Sequence, residues 1–272
     1  MRTKQLLLAL LLSLIGIHVA EAESYTPVKG DKIVTDDGIY IVTGDNIIPN
    51  SDFSEGLTGW KAGDNSDLSA DNFEIIPDGG PDGGPCIHAL GGAGSGSNQT
   101  IKTGWAIESG KTYVFTVWAY RTQSGMSTNT QYSQIWQGNS ETDANTEIGK
   151  ITFKGDTWVQ SQFVFTAEKP YFVAKFAWLN KASSFAHFFL AEVEKSNELV
   201  TTSLEASIAT AQETLDTTEE GDEKGQYTTA VRKTLSDAIA AAKNVLDTAT
   251  TQDEINDAKK ALDTAVKTYT AS

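Results

Sequence analysis

At Val193 the spacing of apolar residues changes. Before it they alternate in runs rich in β-branched and aromatic side chains; beyond it they recur every third or fourth position, and no Trp, Phe or Pro follows. A strand shows every second residue to one face, whereas a helix shows every third or fourth. One pattern therefore cannot serve the whole chain. The sequence predicts an all-β domain over 44–195 and a helical domain over 197–272, and 272 residues are enough for both.

Upstream of the change, Lys32-Ile33-Val34-Thr35 and Ile39-Tyr40-Ile41-Val42 flank Asp36-Asp37-Gly38, which reads as a hairpin within an N-terminal segment, 23–43. Three later runs alternate. In "TYVFTVWAY", Tyr113, Phe115, Val117 and Ala119 oppose Val114, Thr116, Trp118 and Tyr120. In "WVQSQFVFT", Val159, Ser161, Phe163 and Phe165 oppose Trp158, Gln160, Gln162 and Val164; in "YFVAKFAWL", Phe172, Ala174, Phe176 and Trp178 oppose Tyr171, Val173 and Lys175. One face of each strand is expected to make a sandwich core and the other to be wetter. The glycine-rich stretches at 78–85 and 91–96 lack the Lys-Ser/Thr of a phosphate loop and read as connections.

Downstream, Leu204, Ile208, Ala211 and Leu215 lie on one helical stripe. Val231, Leu235, Ala238, Ala242, Val245 and Ala249 make a second, and Ile255, Ala258, Leu262, Ala265 and Tyr269 a third. Thr251 and Glu254 have the spacing of a capping box. These stripes predict a three-helix bundle whose apolar positions are used against one another, with no docking groove left over.

Arg2 and Lys4 precede an apolar run from Leu6 to Val19, and Ala20-Glu21-Ala22 has the form of a cleavage site. Residues 1–22 therefore read as a signal peptide, and the expected location is secreted, periplasmic or cell-surface. No later run is apolar enough to span a bilayer. Cys86 is the only cysteine, so no internal disulfide and no lipid anchor at the cleavage site are expected. A net charge of -15 argues against nucleic acid and disfavours anionic glycans.

The stretch "NIIPNSDFSEGLTGW", residues 46–60, reads physically as a strand end, an Asn-Ser-Asp turn and two glycines that deliver Trp60 to a buried place. It also resembles the N-terminal signature of the jelly-roll carbohydrate-binding modules of families 4, 9, 16 and 22, a galactose-binding-like fold, through Asn46, Ile48, Asn50, Asp52, Phe53, Gly56, Leu57, Gly59 and Trp60. "ESGKTYVFTVWAY" and "FFLAEVEK" resemble later strands of the same family, and the likeness covers about residues 44–195. It implies an all-β jelly-roll sandwich that binds glycans, and a structural calcium. Ser54 and Ala191 stand where the family often has acidic residues, which leaves Asp52, Glu55 and Glu192 as the oxygen donors. "LSDAIAAAKNVLDTATTQDEINDAKKALDTAV" resembles the small helical modules found in various architectures of bacterial surface proteins, which implies a spacer or adhesive unit.

Sugar rings dock their C–H faces on aromatic rings and pair their hydroxyls with amides and charges. Trp118, Tyr120, Trp158, Gln160, Gln162 and Lys175 on the wetter faces, and Tyr132, Gln134 and Trp136 in another alternating run, are the candidates. Each aromatic among them has packing as its alternative role. The leading expectation is a non-catalytic protein that binds a polysaccharide. The alternatives are an envelope adhesion protein with no sugar site, whose partner is another protein, and, behind it, a polysaccharide lyase or hydrolase. His88, His187 and Cys86 form no evident base and nucleophile pair in the sequence.

Overall fold

The computed structural model describes residues 26–90, 100–121, 131–143, 145–153, 157–176 and 183–272. The leader, the loop at 91–96 and Trp178 lie outside these residues. Contacts divide the described residues into two compact units: Gly44–Glu192 with residues 26–29, and Gly30–Thr43 with Val193–Ser272. The hairpin thus groups with the helices, whereas the sequence reading set it apart from both domains.

The first unit is a sandwich of two antiparallel sheets. Strands β3 (Phe73–Ile76), β4 (Cys86–Ala89), β11 (Ser183–Lys195, here to Glu192), β6 (Thr112–Arg121) and β9 (Val159–Thr166) form one sheet in that order. Strands β5 (Ile101–Ala106), β10 (Tyr171–Phe176), β7 (Gln131–Gly138) and β8 (Thr146–Phe153) form the other. Between them Phe115, Phe165, Phe172, Phe185, Phe188 and Ile135 are buried in one cluster. The face read as core on β6, Tyr113, Phe115, Val117 and Ala119, is inside as expected. Its opposite face is not wet along its length, because Val114 and Thr116 are buried too. At the start of β9 the expected core residue Val159 is instead 40% exposed.

The opening motif turns out to be a backbone clamp. Asn46 donates through Nδ2 to the Phe188 carbonyl at 3.0 Å and accepts through Oδ1 from the amides of Ile48 and Leu190 at 3.2 and 3.0 Å. Asn50 donates to the carbonyls of Gly56 and Thr58, each at 2.9 Å, and accepts from the Glu55 amide at 2.9 Å. Asn50, Phe53, Gly56 and Gly59 all take positive φ, which lets the chain coil within these few residues. The coil delivers Trp60, 1% exposed, with its indole N–H on the Asn50 carbonyl at 3.2 Å.

In the second unit β1 (Lys32–Thr35) and β2 (Gly38–Val42) form a hairpin with Asp36 and Asp37 at its turn, and Val193–Lys195 pair with β2. Gly38, expected inside the turn, is instead the first residue of β2. Helices α1 (Thr202–Asp216), α2 (Thr229–Thr248) and α3 (Gln252–Thr270) bury Leu204, Ile208, Leu235, Ile239, Ile255, Leu262 and Tyr269 together. The stripe of α2 centres on Leu235, Ile239 and Ala242, so Ile239 replaces the predicted Ala238 as a core residue. Arg232 donates to the carbonyls of Thr218 and Leu215 at 2.7 and 2.9 Å, satisfying carbonyls at and just beyond the end of α1. A groove of about 430 Å³ is left between α2 and α3, lined by Ala238, Ala241, Val245, Ala258 and Ala261. This corrects the expectation that none remains: alanine fills the seam too thinly to close it.

The capping box is formed: the Thr251 hydroxyl accepts from the Glu254 amide, and the Glu254 carboxylate accepts from the amides of Thr250 and Thr251 at 2.7 and 3.0 Å. Those two amides hold the Glu254 carboxyl below its ordinary pKa. Thr251→Ala is expected to destabilise the helical unit by about 1 kcal/mol in urea unfolding, the usual loss for such a cap.

Candidate functional site

Because side chains alternate on a strand, the register places the predicted site residues on two opposite outer faces. Trp118 faces Gln160 across β6 and β9, and Thr116 faces Gln162, with Tyr120 and Trp158 next in line. The Tyr120 and Trp158 rings are 5.6 Å apart and inclined by 37°. Trp118, Tyr120, Trp158 and Gln160 are partly exposed and Gln162 is exposed. Beside them the buried Thr116 hydroxyl has no hydrogen-bond partner among the described residues, and buried hydroxyls rarely go unpaired.

Lys175 belongs to the other sheet. It pairs with Gln134 and Lys102, and Trp136 pairs with Val173, so Gln134, Trp136 and Lys175 share the outer face of β5, β10, β7 and β8. Tyr132 pairs with Thr152 in the same strand pair, and its side chain lies outside the described residues. This second face is partly roofed. A side chain at Gly104 would meet the Glu141 carbonyl oxygen at 2.4 Å, so the loop backbone lies directly on that strand. Lys102 reaches the Thr142 carbonyl at 2.9 Å, Gln134 is held by Glu147 at 2.7 Å, and Val173 is fully buried. The buried Trp136 indole N–H has no partner among the described residues.

His88 and His187 both lie in the sandwich. His187 sits at the irregularity of β11 with φ 52°, its ring 2.7 Å from the Thr26 hydroxyl and 3.1 Å from the Asp82 carboxylate. Burial pushes the Asp82 carboxyl up, but the Gly84 amide and the His187 ring outweigh it and hold it below its ordinary value. His88 Nδ1 lies 2.7 Å from the Ser184 hydroxyl. That contact joins residues 96 positions apart and had no signal in the sequence. Burial lowers the pKa of His88 against the opposing pull of Glu74, and it pushes the Cys86 thiol, which Ser184 also reaches, up to about 11.

The expected calcium ligands do not come together. Asp52 accepts from the amide and hydroxyl of Ser54 at 3.1 and 2.9 Å, Glu192 accepts from the Lys111 ammonium at 2.9 Å, and Glu55 is exposed. Among the described residues no group of three or more His, Cys, Asp or Glu is gathered where it could hold a metal ion. A calcium shell of about six to eight oxygens is not supplied by carboxylates spent on a hydroxyl and an ammonium.

The two-sheet sandwich, opened by an asparagine clamp and closed by β11, is a jelly roll. Residues 45–177 match the family described as carbohydrate binding domain. Among solved structures, the chain is similar to a family 16 carbohydrate binding module at 17% identity, covering 55% of this chain and 98% of that one with a TM-score of 0.35. A family 4 module is 18% identical over 53% of this chain and 99% of that one, TM-score 0.36. The CBM22-1 xylan-binding domain from Paenibacillus barcinonensis is 11% identical over 63% and 100%, TM-score 0.38. No curated protein matches this sequence.

Proposed function

We propose that the protein is an exported, non-catalytic glycan-binding protein that holds a neutral polysaccharide against the outer face of β6 and β9. The observation that carries this reading is the Tyr120 and Trp158 ring pair, partly exposed, beside Trp118 and Gln160 on adjacent strands. Flat rings next to amides are the chemistry a sugar chain requires. The opposite face has the same residue types, but its loop roof and the Gln134 to Glu147 bond leave less of it free. Export is supported by the charged and then apolar leader with its Ala-Glu-Ala end, and no helix among the described residues is long and apolar enough to cross a membrane. The helical unit makes no sugar contact in this reading and acts as a spacer or docking unit.

Docking of another protein without any sugar is the second reading, favoured by the alanine-lined groove between α2 and α3. A glycan array probed with the chain from Glu23 onward decides between them. Retention on neutral polysaccharides, and none on anionic ones, is expected; no retention on any glycan contradicts the first reading and leaves the second.

A further inference from the structure

We infer that the groove between α2 and α3 is a docking surface for a basic amphipathic helix of another protein. The inference deepens the docking role of the helical unit and stands whether or not the sandwich holds a sugar. It starts from side-chain size. Ala238, Ala241 and Val245 line the groove from α2 and Ala258 and Ala261 from α3, and Ala241 and Ala261 are exposed. A methyl group covers little of a helix, so two alanine-lined ridges leave a trough in which a further helix can pack closely. From Ala238 to Val245 the floor runs about 10 Å at 1.5 Å per residue, which seats two turns of a docked helix through apolar anchors at i, i+4 and i+7. Helical walls offer no free backbone N–H or C=O. An extended segment would lay its own unpaired backbone on methyl groups, whereas a helix arrives with its backbone already paired.

Charge sets the sign of the occupant. The charged residues in the lining are Glu254 and Asp257, both exposed and both acidic. On the same helices other acids are offset within a turn: Lys233 donates to Asp237 at 2.7 Å, and Lys259 to Asp263 at 2.6 Å. One turn before Asp257 stand Asp253 and Glu254 instead, so acid accumulates along this edge. Lys260, one turn after it, forms no ion pair with Asp257 among the described residues. Opposite charges on a rim steer a partner and fix its register. A second copy of this chain is the poorer occupant, because its groove lining brings no base to meet these acids. The partner defined by floor and rim is therefore a helix with apolar anchors flanked by Lys or Arg.

The test is calorimetry of the chain from Glu23 onward with two synthetic peptides of about 20 residues, long enough to form a helix. Both carry leucine at i, i+4 and i+7; one has lysine on its flanks and the other glutamate. The lysine peptide is expected to bind about tenfold tighter than its glutamate twin at low salt, and salt at about 0.5 M should remove most of that preference. Asp257→Lys should weaken the lysine peptide about tenfold and improve the glutamate one. Ala241→Gln, which fills the floor at an exposed helical position, should weaken both about tenfold or more with the helical circular dichroism unchanged. Equal affinity for the two peptides, or tighter binding of the glutamate one, overturns the basic partner while leaving the groove as a dock. Binding that survives Ala241→Gln in a folded variant, or no binding of either peptide, overturns the groove itself. Concentration-dependent dimerisation of the chain that Ala241→Gln abolishes would give the groove to a second copy and overturn the assignment. None of these outcomes bears on the sugar reading, which the glycan array tests separately.

Discussion

Trp60→Ala is expected to cost the sandwich about 3–5 kcal/mol, the range for removing a fully buried large aromatic. The ring is 1% exposed and lies 4.6 Å from Phe188, 5.3 Å from Phe53 and 5.7 Å from Trp105, so its removal leaves a cavity at the meeting of both sheets. It also leaves the Asn50 carbonyl without its indole donor. Against a usual margin of about 5–15 kcal/mol, this is enough to bring the unit near unfolding at ambient temperature. Guanidinium unfolding of the sandwich fragment measures it. A loss below about 1 kcal/mol would show that the motif is not the clamp described above.

The second large effect concerns binding. Trp158→Ala is expected to weaken a bound neutral polysaccharide by about 2 kcal/mol or more, roughly thirtyfold or greater in Kd, as truncated aromatic anchors do. Its ring meets Tyr120 and is partly exposed, so the fold should lose far less than it does at Trp60. Trp136→Ala, on the opposite face, should leave affinity within about twofold of the unmodified protein. The reverse order of the two variants in calorimetry would place the site on β7 and β10.

The fold was legible where local rules are strong. The change of period at Val193, the alternation in β6 and the Thr251 to Glu254 spacing each state a structure within a few residues, and the structure has them. Less legible was which outer face a residue joins, because that depends on strand order and not on alternation. Lys175 was grouped with Trp118 for its polarity, yet β10 pairs with β5 and β7, which puts Lys175 beside Gln134. The same limit hid the His88 and Ser184 pair, made only when β4 meets β11. Ile239 was missed because Ala238 fits the same helical spacing, and burial chose the larger side chain. The signature at Asn46 to Trp60 was read as a turn that places a tryptophan; the two asparagines that hold it needed the partner strand to be seen.

The account rests on one face of the sandwich being the sugar site, and backbone and indole shift mapping during titration with a retained neutral polysaccharide tests that most directly. The changes are predicted to concentrate at Trp118, Tyr120, Trp158, Gln160 and Gln162. Changes centred instead on Gln134, Trp136 and Lys175, or on the helices, would contradict it.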